Sequence, residues 1–193
     1  MLGDICSICC GTEREVSVRC PFECPYLQEA RRHEEPPVAD AAAFPNQDIQ
    51  VTEQFLRKNE QLLVLVSVSL LSVALDTERA VDNDVKDALD SIVRTCRTRQ
   101  SGLYYESRPA NLIAGSIQAR VQEEIEKIRK EMVEESGMNQ IRDKDLLGIV
   151  AFLQRMEIQQ NNGRRLGRAY LDFLRAHFPA PHQPRQSQPL ITP

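Results

Sequence analysis

LLVLVSVSLLSVAL, residues 62–75, is the most apolar run of the chain and decides between helix and sheet. At 14 residues, with Ser67, Ser69 and Ser72 inside it, the run is short for a bilayer span of about 20 residues. Phe55, Leu56, Leu62, Leu63, Val66, Leu70, Val73 and Ala74 recur at helical spacing through it, and the stripe broadens until the segment is apolar all round. Such a helix belongs at the centre of a bundle. The Val and Ser content would also allow a strand over Leu62–Leu71, but its length and the lack of partner strands favour helix from about Asp48 onward.

The surrounding sequence agrees. The chain has 193 residues, no Trp, 5% aromatics and only 8 Gly. An aliphatic core and helix-forming composition are expected. Val81, Val85, Leu89, Ile92, Val93 and Cys96 repeat every three or four residues and predict a helix over about Asp76–Arg99. On this helix Cys96 reads as a small buried side chain, and Asp84, Asp87 and Asp90 as a solvated acidic face. DTERAVDNDVKD lacks the glycine that a calcium loop requires. Ser101–Asn111, with Tyr104 and Tyr105, reads as a loop packed on the core. A long helix follows over Ala110–Ser136, with a narrow stripe of Ile113, Ile117, Val121, Ile125, Ile128 and Met132. That stripe suits either a two-helix dimer seam or the chain's own helices. Asp143–Gln160 is the next helix, Asn161-Asn162-Gly163 a turn, and Arg164–His177 the last helix.

The other strong signal lies at the front. Five of the six cysteines, Cys6, Cys9, Cys10, Cys20 and Cys24, follow the spacing C-x2-C-C-x9-C-x3-C. In a reducing compartment such a cluster points to metal rather than disulfides. Tight spacing lets paired thiolates converge on one ion, and four thiolates close the coordination sphere of structural zinc. The expected ligands are Cys6, Cys9, Cys20 and Cys24, with Cys10 as the alternate to Cys9. An iron–sulfur cluster takes the same donors, but this spacing matches neither common ferredoxin run. Val16 and Val18 alternate as in a short strand, and Pro25 is placed to start a helix that ends near His33, itself a solvent-facing residue. A segment this short lacks apolar surface for a core of its own, so the metal would supply the folding free energy.

The order of knuckle, strand, cysteine pair and helix resembles zinc modules of the treble-clef and zinc-ribbon type. CSICCGTEREVSVRCPFECPYL, residues 6–27, and SGLYYESRP, residues 101–109, resemble an uncharacterised bacterial family with a cysteine-rich N-terminus. That resemblance implies a metal knuckle and no particular activity.

The expected class is therefore mainly α: a bundle of about five helices bearing a four-cysteine knuckle. The expected divisions are a module at 1–35, a Pro/Ala linker at 36–47, the bundle at 48–178 and a disordered tail at 179–193. Net charge is −4, which disfavours the whole chain as a trap for nucleic acid. Residues 163–193 nevertheless carry five Arg against one Asp. Arg164, Arg165, Arg168 and Arg175, following a glycine turn, are candidates for anion or nucleic-acid contact; the competing reading is an ordinary helical hairpin. Met1-Leu2-Gly3-Asp4 starts no basic-then-apolar leader, so a cytoplasmic location is expected.

No phosphate-binding glycine loop, H-E-x-x-H or di-iron Glu/His spacing occurs, and no residue earns a catalytic assignment. The expectation is a non-enzymatic zinc-binding protein that acts through a protein partner or self-association. Alternatives are a nucleic-acid-binding regulator and a thiol-based redox or metal-responsive protein. No membrane or small-molecule substrate is expected.

Overall fold

The computed structural model of the chain describes residues 6–34, 44–102, 105–136 and 141–178. Among these the regular structure is helical: α1 (Ser7–Glu13), α2 (Pro25–His33), α3 (Glu53–Lys58), α4 (Glu60–Asp76), α5 (Asp82–Gln100), α6 (Leu112–Ser136), α7 (Asp143–Gln160) and α8 (Ala169–His177). The protein is mainly α, and the apolar run at 62–75 is a helix. No described helix is long and apolar enough to cross a membrane. Most of the linker and all of the tail lie outside the described residues.

The core forms where the aliphatic stripes meet. α5 packs against α6, α7 and α8, and α4 packs against α3, α6, α7 and α8. Leu70, Leu71, Val85, Leu89, Ile92, Ile117, Val121, Ile149, Leu153 and Leu174 are among its fully buried members. Cys96 is buried among them, and burial pushes its thiol up to about 11. The narrow stripe of α6 faces α4 and α5 of the same chain, with Ile117, Val121 and Ile125 buried and Ile113, Ile128 and Met132 packed against them. It is therefore spent on the chain's own core. α4 is central but not enclosed: Val64 and Leu75 are exposed.

The expected first helix divides in two. Thr52 caps α3, accepting the Phe55 N–H at 3.1 Å, and the backbone breaks at Asn59 (φ −110°, ψ 25°) before α4. The break lets the Phe55 ring lie against α7 at Gly148, where a Cβ would stand 2.4 Å from Phe55 Cζ.

The acidic start of α5 also departs from expectation. Asp82 and Asp84 are buried, not solvated. Asp84 accepts the Val81 N–H at 2.9 Å, and its position in the first turn places a carboxylate at the helix's positive end. Asp82 reaches across to α8, accepting the Tyr170 N–H at 2.8 Å and the Leu171 N–H at 3.1 Å. It thus caps a helix 88 residues away in sequence. Those donors pull its carboxyl down, but burial outweighs them and holds it up at about 7.

Candidate metal centre

The cysteine segment is two short helices joined by a tight loop. Cys6 is the N-cap of α1, and the Cys9 N–H donates to Cys6 Sγ at 3.3 Å. Cys24 is the N-cap of α2, whose first residue is Pro25. The strand expected at Val16–Val18 is instead a turn. The Glu13 carbonyl accepts the N–H groups of Val16, Ser17 and Val18, and a single bridge joins Arg14 to Val18. Glu15 takes a left-handed backbone conformation there, with φ 55°.

This segment has almost no interior. In residues 6–34 the buried apolar side chains are Cys20, Phe22 and Leu27, and α1 buries none of its residues. What holds the segment in place is the helical body. Phe22 belongs to the body's core cluster, and the guanidiniums of Arg168 and Arg175 lie over its ring at 3.9 and 4.5 Å.

Glu15 is the second anchor and is 1% exposed. One carboxylate oxygen accepts from Arg31 at 2.7 Å and from the Arg168 N–H at 3.1 Å. The other accepts from Asn162 at 2.8 Å and lies 4.0 Å from Arg164. Its backbone carbonyl accepts the Leu166 N–H at 2.7 Å. Glu15, from the cysteine segment, and Asp82, from the start of α5, therefore meet at the start of α8, where backbone N–H groups favour negative charge.

The four candidate anion-binding arginines all touch the cysteine module. Arg164 pairs with Glu34 at 2.7 Å, Arg165 donates to the Val16 carbonyl at 3.1 Å, Arg168 donates to the Cys20 carbonyl, and Arg175 pairs with Glu23 at 3.2 Å. Three of the four lie outside the final helix, which starts at Ala169 rather than Arg164. Gly163 has φ 70°, and a Cβ at Gly167 would stand 2.4 Å from Asn162 Oδ1, so the segment between them is a compact loop. His33 is exposed and pairs with Glu29 at 3.0 Å.

The thiols separate by environment. Cys6 and Cys9 are exposed, Cys10 and Cys24 half-buried, and Cys20 buried. The Cys9 backbone amide lowers the Cys6 thiol, while the hydrogen bond to the Cys6 side chain raises that of Cys9. Burial raises Cys20, and the neighbouring charges that act on it are those of Cys24, Glu15 and Cys10. Among the described residues, no three His, Cys, Asp or Glu side chains are gathered closely enough to enclose an ion. The segment holds the thiol donors that zinc favours, but in this arrangement they stand apart.

Sequence reasoning missed Glu15, Asn162 and Asp82. Glu15 sits in the charged run TEREVSVR, which reads as solvated surface. Elsewhere, Tyr105 and Glu106 line a surface cavity of about 380 Å³ with Arg99 and Glu126. Its side chains offer no nucleophile paired with a base. Tyr104 lies outside the described residues. Compared with models of known protein families, with curated proteins and with solved structures, the chain finds no match.

Proposed function

We propose that residues 6–34 form a zinc-binding module, held by four of the five clustered thiolates and docked on a helical bundle, and that the protein is a non-enzymatic interaction or structural protein. The observation that carries this reading is the mismatch between thiols and core. Five thiols crowd a segment that buries only three apolar side chains. Burial on that scale contributes only a few kcal/mol, roughly 1.5–3 for each large side chain, against the entropy of ordering the whole segment. Docking through Glu15 and Phe22 fixes the module's inner side. The helix α1, with its exposed thiols, needs a further source of order, and a bound ion supplies it.

The arginines of residues 164–175 serve this docking in the proposed reading. Their partners are glutamates and carbonyls of the module, so these four arginines are already engaged within the chain. One specific observation favours a thiol-based reading: two exposed cysteines lie at the start of α1, with the Cys9 N–H donating to Cys6 Sγ at 3.3 Å.

Elemental analysis of the full chain, purified in reductant without added metal, tests the proposal. One zinc per chain is expected, and cobalt substitution should give the intense thiolate-to-metal absorption of a four-sulfur site. Metal-free protein that also takes up no added zinc would overturn it.

A further inference from the structure

From Gln61 to Leu75, α4 carries no charged residue. Its inward face accounts for part of this, because Val66, Leu70, Leu71, Val73 and Ala74 are buried in the core. Its outward face is apolar for another reason. Gln61, Val64, Val68, Ser72 and Leu75 follow one another at steps of three and four residues and so line up along one side of the helix. Val64 and Leu75 are each 45% exposed, Gln61 and Ser72 are exposed, and Val68 is half-buried. A helix face that meets water ordinarily carries charge. Here about four turns of exposed face carry none, in a chain with 27% charged residues. A continuous apolar stripe of this kind marks an interaction surface.

The charges at the two ends of α4 identify what covers the stripe. Lys58 stands exposed just before the helix, and its N-cap, Asn59, makes no side-chain hydrogen bond to the first turn. Asp76 closes the helix and Glu78 follows it; both side chains stay largely exposed, although Arg120 lies beside the first and Arg79 beside the second. One end is thus positive, through Lys58 and the helix dipole, and the other negative. A second α4 laid antiparallel brings the acidic end of each helix to the positive end of the other. A parallel pair would set Lys58 against Lys58 and Asp76 against Asp76. The antiparallel pair also places Val64 opposite Leu75 and Val68 opposite Ser72, so the stripe is complementary to itself about a two-fold axis. We propose that the chain self-associates as a two-fold dimer through the outer face of α4, with the two helices antiparallel. This gives the interaction role proposed above a partner, and it rests on that half of the reading rather than on zinc.

Sedimentation velocity of the full chain, from about 1 to 100 μM and in reductant, tests the proposal. A monomer–dimer equilibrium is expected. Val64→Lys and Leu75→Glu should each weaken it about tenfold or more, because each buries an unpaired charge in the seam. The double variant Val64→Lys/Leu75→Glu should recover most of the loss, since the antiparallel pair sets each new lysine against a new glutamate; within one chain the two positions lie about 16 Å apart along the helix. Ser72→Glu, which brings like charges together near the axis, should weaken the dimer without touching the core and serves if either other variant unfolds. Thermal unfolding followed by circular dichroism checks that each variant keeps its helices. A monomer throughout the range overturns the proposal, as does a dimer that these substitutions leave unchanged or a double variant no stronger than the single ones. Repeating the measurement after chelation separates this proposal from the zinc reading. A dimer that persists in metal-free protein supports the α4 interface whatever becomes of the zinc site, whereas a dimer lost with the metal assigns association to the cysteine module and overturns the proposal.

Discussion

The helical body and the cysteine module solve the same problem by opposite means. The body excludes water with aliphatic stripes: Leu70, Val85 and Ile117 are each 0% exposed. The module has no such stripe; one buried carboxylate, Glu15, and one aromatic ring, Phe22, hold it to the body. An apolar core tolerates small changes, because many contacts share the load. A charged anchor does not, because removing one partner strands the others in a water-poor site. The module should therefore fail sharply at single residues where the body fails gradually.

Glu15 gives the largest expected effect. Glu15→Ala takes the carboxylate from the Arg168 N–H and Asn162 and leaves Arg31 with Asp172 alone, and breaking such a buried pair costs about 3–5 kcal/mol. Limited proteolysis should cut residues 6–34 first, with α4–α8 still protected. If the variant unfolds with the unaltered cooperativity and midpoint, the contrast between the two regions is lost.

Leu70→Ala in the body comes next, at about 3 kcal/mol in urea denaturation. Here the two regions should destabilise together, since Phe22 of the module belongs to the same core cluster as Leu70.

Glu157 sharpens the comparison from within the body. It is 1% exposed, Asn161 donates to one of its oxygens at 2.6 Å, and its Oε2 has no partner. Burial raises its carboxyl to about 7. A folded value above the unfolded one means that the folded state holds the proton more tightly. Stability from this group is then complete below about pH 4 and is lost as pH rises through about 7. Glu157→Gln should remove that decline and stabilise the protein by about 2 kcal/mol at pH 8. Denaturation midpoints measured from pH 5 to pH 8 check the slope; an unchanged slope would mean that Glu157 is not the group responsible.

Glu23 gives the smallest effect. It also pairs a module carboxylate with a body arginine, Arg175, but it is 75% exposed. Glu23→Gln should change stability by less than about 1 kcal/mol. A loss as large as that at Glu15 would show that charge alone, rather than burial, anchors the module.

The body was the legible part because its physics is periodic. The run at 62–75, the stripe of α6 and the inward face of α7 all announce helix through spacing, and the buried Cys96 follows from its register on α5. What the pattern could not convey is long-range polar pairing. Asp82 looks like any first-turn acid, yet its partners are the amides of Tyr170 and Leu171. Glu15 lies in a charged run and takes a left-handed conformation that its residue type does not advertise. The start of the last helix was misplaced for a local reason. Gly163 reads as the turn residue, but Gly167, where only a hydrogen fits beside Asn162, also belongs to the loop. For the thiols, spacing favours Cys9 over Cys10 as a ligand, and it does not convey that Cys9 is exposed while Cys10 is half-buried.

Hydrogen exchange of the full chain, zinc-loaded and after chelation in reductant, tests the central claim most directly. Amides of residues 6–34 should lose protection when zinc is removed, most of all in α1, while those of α4–α8 keep theirs. Equal protection of the module in both states would contradict the claim that a bound ion holds it.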